Sequence, residues 1–122
     1  FCPSMLDTVA PQMLSVDHPS PFMTFTFDVK EGWAERVPEV VHEDGTARAQ
    51  VLKRDYNPRY YDLMKELEVM TGNGVVLNTS LNRRGEPMVC SPTDALNMFF
   101  GSDLQFLIME DILVMKARDG GN

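Results

Sequence analysis

The ten residues NTSLNRRGEP, at positions 78–87, concentrate side chains that bind anions. The stretch combines hydroxyls, amides and guanidinium groups, and Gly85 lets the backbone approach a ligand closely. The side-chain donors are Asn78, Thr79, Ser80, Asn82, Arg83 and Arg84. Hydrogen bonds from a guanidinium to phosphate or carboxylate are worth about 1.5–3 kcal/mol each. The composition therefore predicts an oxyanion site.

The same composition also suits a solvent-facing turn whose side chains cap its own backbone. On composition alone the two interpretations are about evenly supported. The apolar run GVVLN at 74–78 predicts a short buried strand just before the loop. The loop then lies at the edge of a sheet, where open α/β folds usually keep their ligands.

A second polar cluster, HEDGTARAQ at 42–50, shifts the weight towards binding. Its small residues precede Arg48, which lies within an otherwise apolar strand pattern where an unpaired guanidinium is costly. Arg48 therefore needs an anion. The alternatives are an arginine that faces solvent from the polar side of a strand, or one paired with a structural carboxylate such as Glu86.

Other reactive side chains are weaker candidates. His42 and Asp44 have no third metal ligand at helical or turn spacing, so stabilisation of a turn is favoured over a metal site. Cys90 has no neighbouring histidine to activate it, which favours a small buried hydrophobe over a nucleophile. No metal-ligand set is assigned.

The strands that would position these residues are read from hydrophobic alternation. FMTFTFDV predicts a half-buried strand over 22–29, and TARAQVL predicts a strand at about 46–53. Prolines in the first 21 residues argue against a long regular element there, beyond a short helical turn near 10–14. Two more strands are predicted at 104–109 and 112–117, and the last residues are expected to fray.

Two helices carry their own boundary signals. Asn57 is an N-cap candidate with Pro58 at the first helical position, and Gly72 closes that helix. Ser91 with Pro92 begins the second helix, which ends by Gly101. The order of strands and helices predicts an α/β fold, a twisted mixed sheet with helices packed on it.

The chain of 122 residues suits one compact domain. Its formal net charge of -7 argues against nucleic acid as the default partner, because that affinity comes from basic residues. Two cysteines are too few for a secreted disulfide framework, and no apolar run is long enough to span a bilayer, so a reduced cytoplasm is expected. Because the chain starts at Phe1 without a methionine, we expect a fragment of a longer protein.

Three stretches together resemble a known family: HEDGTARAQ at 42–50, NPRYYDLM at 57–64 and TGNGVVLNTSLNRRGEPMVCSPTDAL at 71–96. They are similar to the C-terminal domain of the carbamoyltransferases that act in nodulation-factor and antibiotic modification. The similarity extends from about Pro21 to Lys116, and the opening FCPS also fits. Leu81 stands where the family usually has phenylalanine, and Arg83 is at a variable place; both changes leave the donors intact.

The resemblance implies that residues 1–122 form a YrdC-like domain whose N-terminal partner domain is absent. Such a domain is expected to convert carbamoyl phosphate and ATP, with Mg²⁺, into carbamoyl adenylate and pyrophosphate. The N-terminal domain then transfers the carbamoyl group to a hydroxyl, and the metal of the relatives belongs to that domain. The resemblance implies that the whole enzyme is an ATP-dependent O-carbamoyltransferase, and this piece alone is expected to be inactive.

Matching of motif positions assigns roles to individual residues. Arg48 is expected to hold phosphate or carbamoyl phosphate, while Asn78 and Ser80 hydrogen-bond the carbamoyl phosphate or its adenylate. Thr46, Asn82 and Arg84 are further substrate-binding candidates at matching positions. The rival function is a nucleic-acid-binding module that holds tRNA, which the net acidity disfavours; a third is a purely structural piece. The carbamoyl acceptor is not encoded in these residues.

Overall fold

A three-stranded sheet forms the centre of the first part of the chain in a computed structural model, which describes residues 1–117. The predicted fraying of the last residues falls on 118–122, outside the described residues. The chain divides into two compact units, Phe1–Thr79 and a second unit that begins at Ser80. The first unit contains β1 (Cys2–Leu6), α1 (Ala10–Met13), β2 (Phe27–Asp28), β3 (Thr46–Ala47), β4 (Gln50–Leu52), α2 (Pro58–Thr71) and β5 (Val75–Asn78).

The sheet has the order β4-β1-β5, with β1 parallel to β4 and antiparallel to β5. All five residues of β1 are buried, and helix α2 packs against β1 and β5. The main core of this unit is apolar and includes Met5, Leu6, Met13, Leu14 and Met64. This arrangement confirms the predicted α/β class and the mixed sheet with a helix packed on it.

Strand β1, with five residues, was not predicted, because the prolines in the first 21 residues argued only against a long regular element there. The prolines there are not evenly spread: the strand contains only Pro3. Pro3 is the second residue of β1 and pairs with Leu77 of β5, whereas pairing with β4 begins at Ser4, so the proline lies near the start of the strand and outside the pairing with β4. A strand buried on both faces also lacks the alternation of apolar and polar residues. That alternation is the signal that predicts a strand with one face exposed to solvent.

The strand predicted over 22–29 is also wrong in extent, because only Phe27–Asp28 forms a strand, paired with Thr46–Ala47, and Val29 makes an isolated bridge to Leu14. Met23 has a positive φ of 55°, and Phe22 and Phe25 are exposed. The strand predicted at 46–53 is likewise interrupted at residues 48–49, between β3 and β4. With so short a partner, the alternating residues before Phe27 have no strand to pair with.

Helix α2 follows its local signals closely. The Asn57 side chain accepts a hydrogen bond from the Tyr60 backbone N–H at 3.1 Å, and Pro58 occupies the first helical turn. Gly72 ends the helix with φ 76°, a left-handed conformation that glycine adopts at little cost. The predicted N-cap, start and stop of this helix are all confirmed.

The second unit is built from α3 (Pro92–Phe100), β6 (Phe106–Met109) and β7 (Ile112–Met115). Ser91 caps α3 by accepting from the Asp94 N–H at 3.1 Å, as predicted. The two strands form an antiparallel hairpin whose turn contains Glu110, with φ 54°. Ala95 and Phe99 of the helix cluster with Leu107 of the hairpin to form a small core. Within residues 1–117, no helix combines the length and apolarity needed to cross a bilayer.

Candidate functional site

The turn before β3 commits the hydroxyl of Thr46 to local hydrogen bonds. Thr46 Oγ1 donates to Asp44 Oδ1 at 2.7 Å, and the Thr46 N–H donates to the same oxygen at 3.1 Å. Because the carboxylate only accepts, His42 Nδ1 must be the donor in its 3.1 Å contact with Thr46 Oγ1. These bonds from Thr46 lower the pKa of Asp44. His42 and Asp44 therefore stabilise the turn, as the sequence predicts, and Thr46 belongs to the same network.

Arg48 follows that turn and is exposed at the end of β3, rather than embedded in a strand. Its Nε and Nη2 donate to Cys2 Sγ at 3.2 and 3.1 Å. The ion pairs found within residues 1–117 join Asp17 to His18, Arg54 to Asp62 and Lys65 to Glu68, so none includes Arg48. A thiol is a weak acceptor, and the Nη1 end of the guanidinium remains available for an anion.

Asn78, the last residue of β5, joins a polar network that crosses all three strands of the sheet. Its Nδ2 donates to Ser4 Oγ of β1 at 2.9 Å and to Gln50 Oε1 of β4 at 3.3 Å. Ser4 Oγ in turn donates to Gln50 Oε1 at 2.8 Å. Ser4 is fully buried, so these bonds satisfy polar groups that would otherwise be costly to bury.

Arg48 and Asn78 belong to the same face of the first unit. Asn78 is the strand partner of Cys2, and Arg48 donates to the Cys2 sulfur. The bond from Asn78 to Ser4 fixes the Asn78 side chain on the Ser4 side of the sheet, and Cys2 shares that side because alternate residues of a strand point the same way. Cys2 thus links the two predicted substrate-binding residues, because its sulfur accepts from Arg48 and its backbone position pairs with Asn78.

Ser80 and Asn82 lie in the second unit, and their polar groups bond mainly within the loop. Ser80 Oγ donates to Asn82 Oδ1 at 2.5 Å, while Asn82 Nδ2 donates to the carbonyls of Arg83 and Glu86 at 3.0 and 3.1 Å. Gly85 has φ 85°, which makes it the residue that lets the loop turn. Asn82 therefore caps the backbone of its own loop, which is one of the two interpretations that the composition left open.

The two neighbouring arginines of the loop have different surroundings. Arg83 Nη2 donates to the Asn97 carbonyl of α3 at 2.8 Å, and a Cβ on Gly101 would collide with the Arg83 guanidinium. Arg83 therefore caps the carboxyl end of the helix. Arg84 is exposed, and no hydrogen bond or ion pair is found for its side chain within residues 1–117. Of the pair, Arg84 is the one whose side chain is exposed without such a bond, and its substrate-binding role stays a prediction.

A cleft of about 450 Å³ in the second unit is lined by residues of this loop and of α3. Its lining includes Arg83, Glu86 and Asp94, but neither Ser80 nor Arg84. Arg83 is already bonded to the helix, and two carboxylates repel a phosphate group. We therefore do not assign the phosphate site to this cleft.

Cys90, which lines that cleft, is exposed, whereas the sequence predicted a buried side chain. Its Sγ donates to Asp94 Oδ2 at 3.4 Å, and this hydrogen bond raises the pKa of the thiol. The thiol is therefore held protonated, which agrees with the prediction that Cys90 is not a nucleophile. Across residues 1–117, no three His, Cys, Asp or Glu side chains come together as a metal site.

Three residues beside the predicted ones were not assigned from sequence: Cys2, Ser4 and Gln50. The only signals were their positions inside the stretches FCPS and HEDGTARAQ. Recognition of their role requires the register that aligns Ser4 with Gln50 and Cys2 with Asn78.

This geometry defines an α/β domain in which a guanidinium and an amide flank one buried thiol at a sheet face. A family model described as Carbamoyltransferase C-terminus matches residues 1–116. The chain belongs to this carbamoyltransferase C-terminal family, as the resemblance implied.

Individual relatives agree with the family match. Uncharacterized protein sll1178 of Synechocystis is 33% identical over 96% of this chain and 22% of its own length. Uncharacterized protein MJ1051 of Methanocaldococcus jannaschii is 38% identical over 97% of this chain and 23% of its own length. Nodulation protein NolO of Bradyrhizobium diazoefficiens is 35% identical over 95% of this chain and 22% of its own length. The chain thus spans about a fifth of the length of these curated relatives.

Proposed function

We propose that this chain is the adenylate-forming part of an ATP-dependent O-carbamoyltransferase. It forms carbamoyl adenylate from carbamoyl phosphate and ATP, and an N-terminal domain of the full-length protein transfers the carbamoyl group to a hydroxyl acceptor. Family membership supports the reaction class. The observation that carries the proposal is the shared sheet face on which Arg48 and Asn78 flank Cys2.

Mass balance sets what the site must accomplish. The phosphoryl group of carbamoyl phosphate leaves as inorganic phosphate with the consumption of one water, which releases the carbamate oxygen. That oxygen attacks the α-phosphorus of ATP, and the bond from the α-phosphorus to the bridging oxygen breaks to release pyrophosphate. Both substrates are polyanions, so positioned cationic and hydrogen-bonding groups lower the barrier more than any covalent participation by the protein.

Arg48 is the residue best suited to the phosphoryl group. Its Nε and Nη2 are held by Cys2 Sγ, which orients the guanidinium while leaving Nη1 to donate to phosphate oxygens. Thr46 supports Arg48 indirectly, because its bonds to Asp44 shape the turn that leads into the arginine. Arg84 of the second unit is a further exposed guanidinium for a phosphate.

Ser80 and Asn82 contribute through the shape of the loop and through the Ser80 hydroxyl. The bond from Ser80 to Asn82 holds the hydroxyl oxygen in place, and that oxygen still has capacity to accept from a ligand. ATP arrives with Mg²⁺ as a substrate complex, in which the ion neutralises part of the phosphate charge. The chain's own arginines supply the remaining cationic groups.

The direct test is product formation by the full-length protein. With ATP, Mg²⁺ and carbamoyl phosphate, we expect pyrophosphate and inorganic phosphate to appear in equal amounts, and neither when one substrate is omitted. Binding of both substrates should also stabilise the protein, whereas tRNA should not, since ligands stabilise in proportion to their preference for the native state. Stabilisation by tRNA without release of pyrophosphate would instead favour the nucleic-acid-binding module.

A further inference from the structure

The orientation of the Asn78 amide is determined by a chain of hydrogen bonds that starts at a backbone carbonyl. Gln50 Nε2 donates to the Pro21 carbonyl at 3.2 Å, and a carbonyl accepts only, so this end of Gln50 must be the nitrogen. Gln50 Oε1 therefore faces the other way, towards Ser4 and Asn78. Because Oε1 accepts only, the Asn78 atom 3.3 Å from it must be Nδ2.

Both N–H groups of Asn78 are thereby used inside the protein. One N–H donates to Ser4 Oγ at 2.9 Å, and the other donates to Gln50 Oε1 at 3.3 Å. The Ser4 hydroxyl proton is itself donated to Gln50 Oε1 at 2.8 Å. No hydrogen bond to Asn78 Oδ1 is found within residues 1–117. His18 Nε2 is the one buried side-chain N or O atom without a partner in that range, so Asn78 Oδ1 is open to solvent. Asn78 presents an acceptor, not a donor.

An acceptor on the same sheet face as Arg48 selects a different part of the ligand than a donor would. At neutral pH the phosphate oxygens of carbamoyl phosphate are mainly deprotonated, so they accept hydrogen bonds and repel a carbonyl oxygen. The carbamoyl NH₂ group has two N–H donors and is the part of carbamoyl phosphate that distinguishes it from other acyl phosphates. We infer that Asn78 Oδ1 accepts a hydrogen bond from the carbamoyl NH₂ and makes this site specific for a carbamoyl group.

Ser4 and Gln50 are positioning residues in this inference, since they hold the amide with its oxygen outward. The inference rests on the proposed function, because it names the part of the substrate that the same site reads. A site that pairs a ligand N–H disfavours analogues lacking that group, because the bound analogue covers the acceptor without giving it a partner. The predicted specificity is therefore against acyl phosphates that carry methyl in place of NH₂.

Acetyl phosphate is the matched probe, because it keeps the carbonyl and the phosphate but replaces NH₂ by methyl. Calorimetric titration of the full-length protein with carbamoyl phosphate, acetyl phosphate and inorganic phosphate measures the discrimination. We expect the wild type to bind carbamoyl phosphate at least about tenfold more tightly than acetyl phosphate. Asn78→Leu, similar in shape but without an acceptor, should bring that ratio close to one while leaving inorganic phosphate binding unchanged.

Gln50→Ala provides a second variant that leaves Asn78 in place but frees its amide to rotate, and it should also lower the ratio. Asn97→Leu, an exposed asparagine on α3, is the matched control and should keep the wild-type ratio.

A wild type that binds the two acyl phosphates equally, or an Asn78→Leu variant that weakens both by the same factor, overturns the inference while leaving the proposed function standing. Failure of the wild type to bind any of the three phosphates overturns the proposed function itself. If Asn78→Leu does not fold, the wild-type ratio and Gln50→Ala decide.

Discussion

Arg48 donates from Nε and Nη2 to the sulfur of Cys2, at 3.2 and 3.1 Å. The thiol is buried, whereas the arginine is exposed, so the sulfur acts as a fixed support for a side chain that would otherwise move freely in solvent. A long charged side chain loses conformational entropy when a ligand fixes it, and prior support lowers that loss. The relationship links a core strand directly to the proposed phosphate site.

Replacement of Cys2 should therefore affect substrate binding through Arg48. Cys2→Ser keeps an acceptor and should retain near wild-type behaviour, whereas Cys2→Ala removes it and should raise the KM for carbamoyl phosphate by about 3- to 10-fold. Steady-state kinetics of the full-length protein measure this, with Cys90→Ala as the control for loss of a thiol elsewhere. Equal KM values for the serine and alanine variants would show that the sulfur does not support Arg48.

Substitution of Gly74, which lies just before β5, tests how closely the main core is packed. A Cβ at this position would lie 2.8 Å from Leu6 Cδ1 and 3.0 Å from Val9 Cγ2, both in the main core. Gly74→Ala should therefore destabilise the fold by about 1–3 kcal/mol through overpacking. Urea denaturation measures the loss, and the cost should be smaller in a Leu6→Val background, which removes a terminal carbon of the leucine. A Gly74→Ala protein as stable as the wild type contradicts the packing described.

The thiol of Cys90 gives a pH-dependent prediction. Asp94 raises its pKa by accepting a hydrogen bond and through its negative charge, so the reactive thiolate forms only at higher pH. Asp94→Asn removes the charge and should shift the pH profile of Cys90 alkylation by iodoacetamide to lower pH. Peptide mapping by mass spectrometry distinguishes Cys90 from Cys2, and Asp103→Asn is the control for loss of a carboxylate elsewhere. An unchanged profile in Asp94→Asn would rule out the contact as the cause.

Elements with local signals could be predicted from the sequence, and those that depend on distant partners could not. Asn57 and Ser91 are caps because their side chains bond backbone groups three residues on, a relationship contained in a few adjacent positions. Strand β1 depends on β4 and β5, some 45 and 70 residues away, so proline content misled the prediction. The strand expected over 22–29 failed for the converse reason, because its alternating pattern meets partners only at residues 27–29.

The candidate site shows the same division. Residue type alone left Arg48 and Asn78 open to other interpretations, and their substrate-binding roles, which come from matching motif positions, stay predictions. The direction of the Asn78 amide was not predictable, because it depends on Gln50 and on the Pro21 carbonyl. The loop donors were predicted as a group. In the folded loop, however, Asn82 donates to the loop backbone and Arg83 caps α3.

Arg48 binds the phosphorylated substrate in the proposed reaction, and pyrophosphate release by the full-length protein with ATP, Mg²⁺ and carbamoyl phosphate tests this role. Arg48→Ala should reduce the rate by about 100-fold or more. Because the side chain is exposed, the free energy of unfolding should change by no more than about 0.5 kcal/mol. Arg54→Ala, which removes an exposed arginine paired with Asp62, should leave the rate unchanged. Wild-type pyrophosphate release by the Arg48→Ala variant would contradict the account.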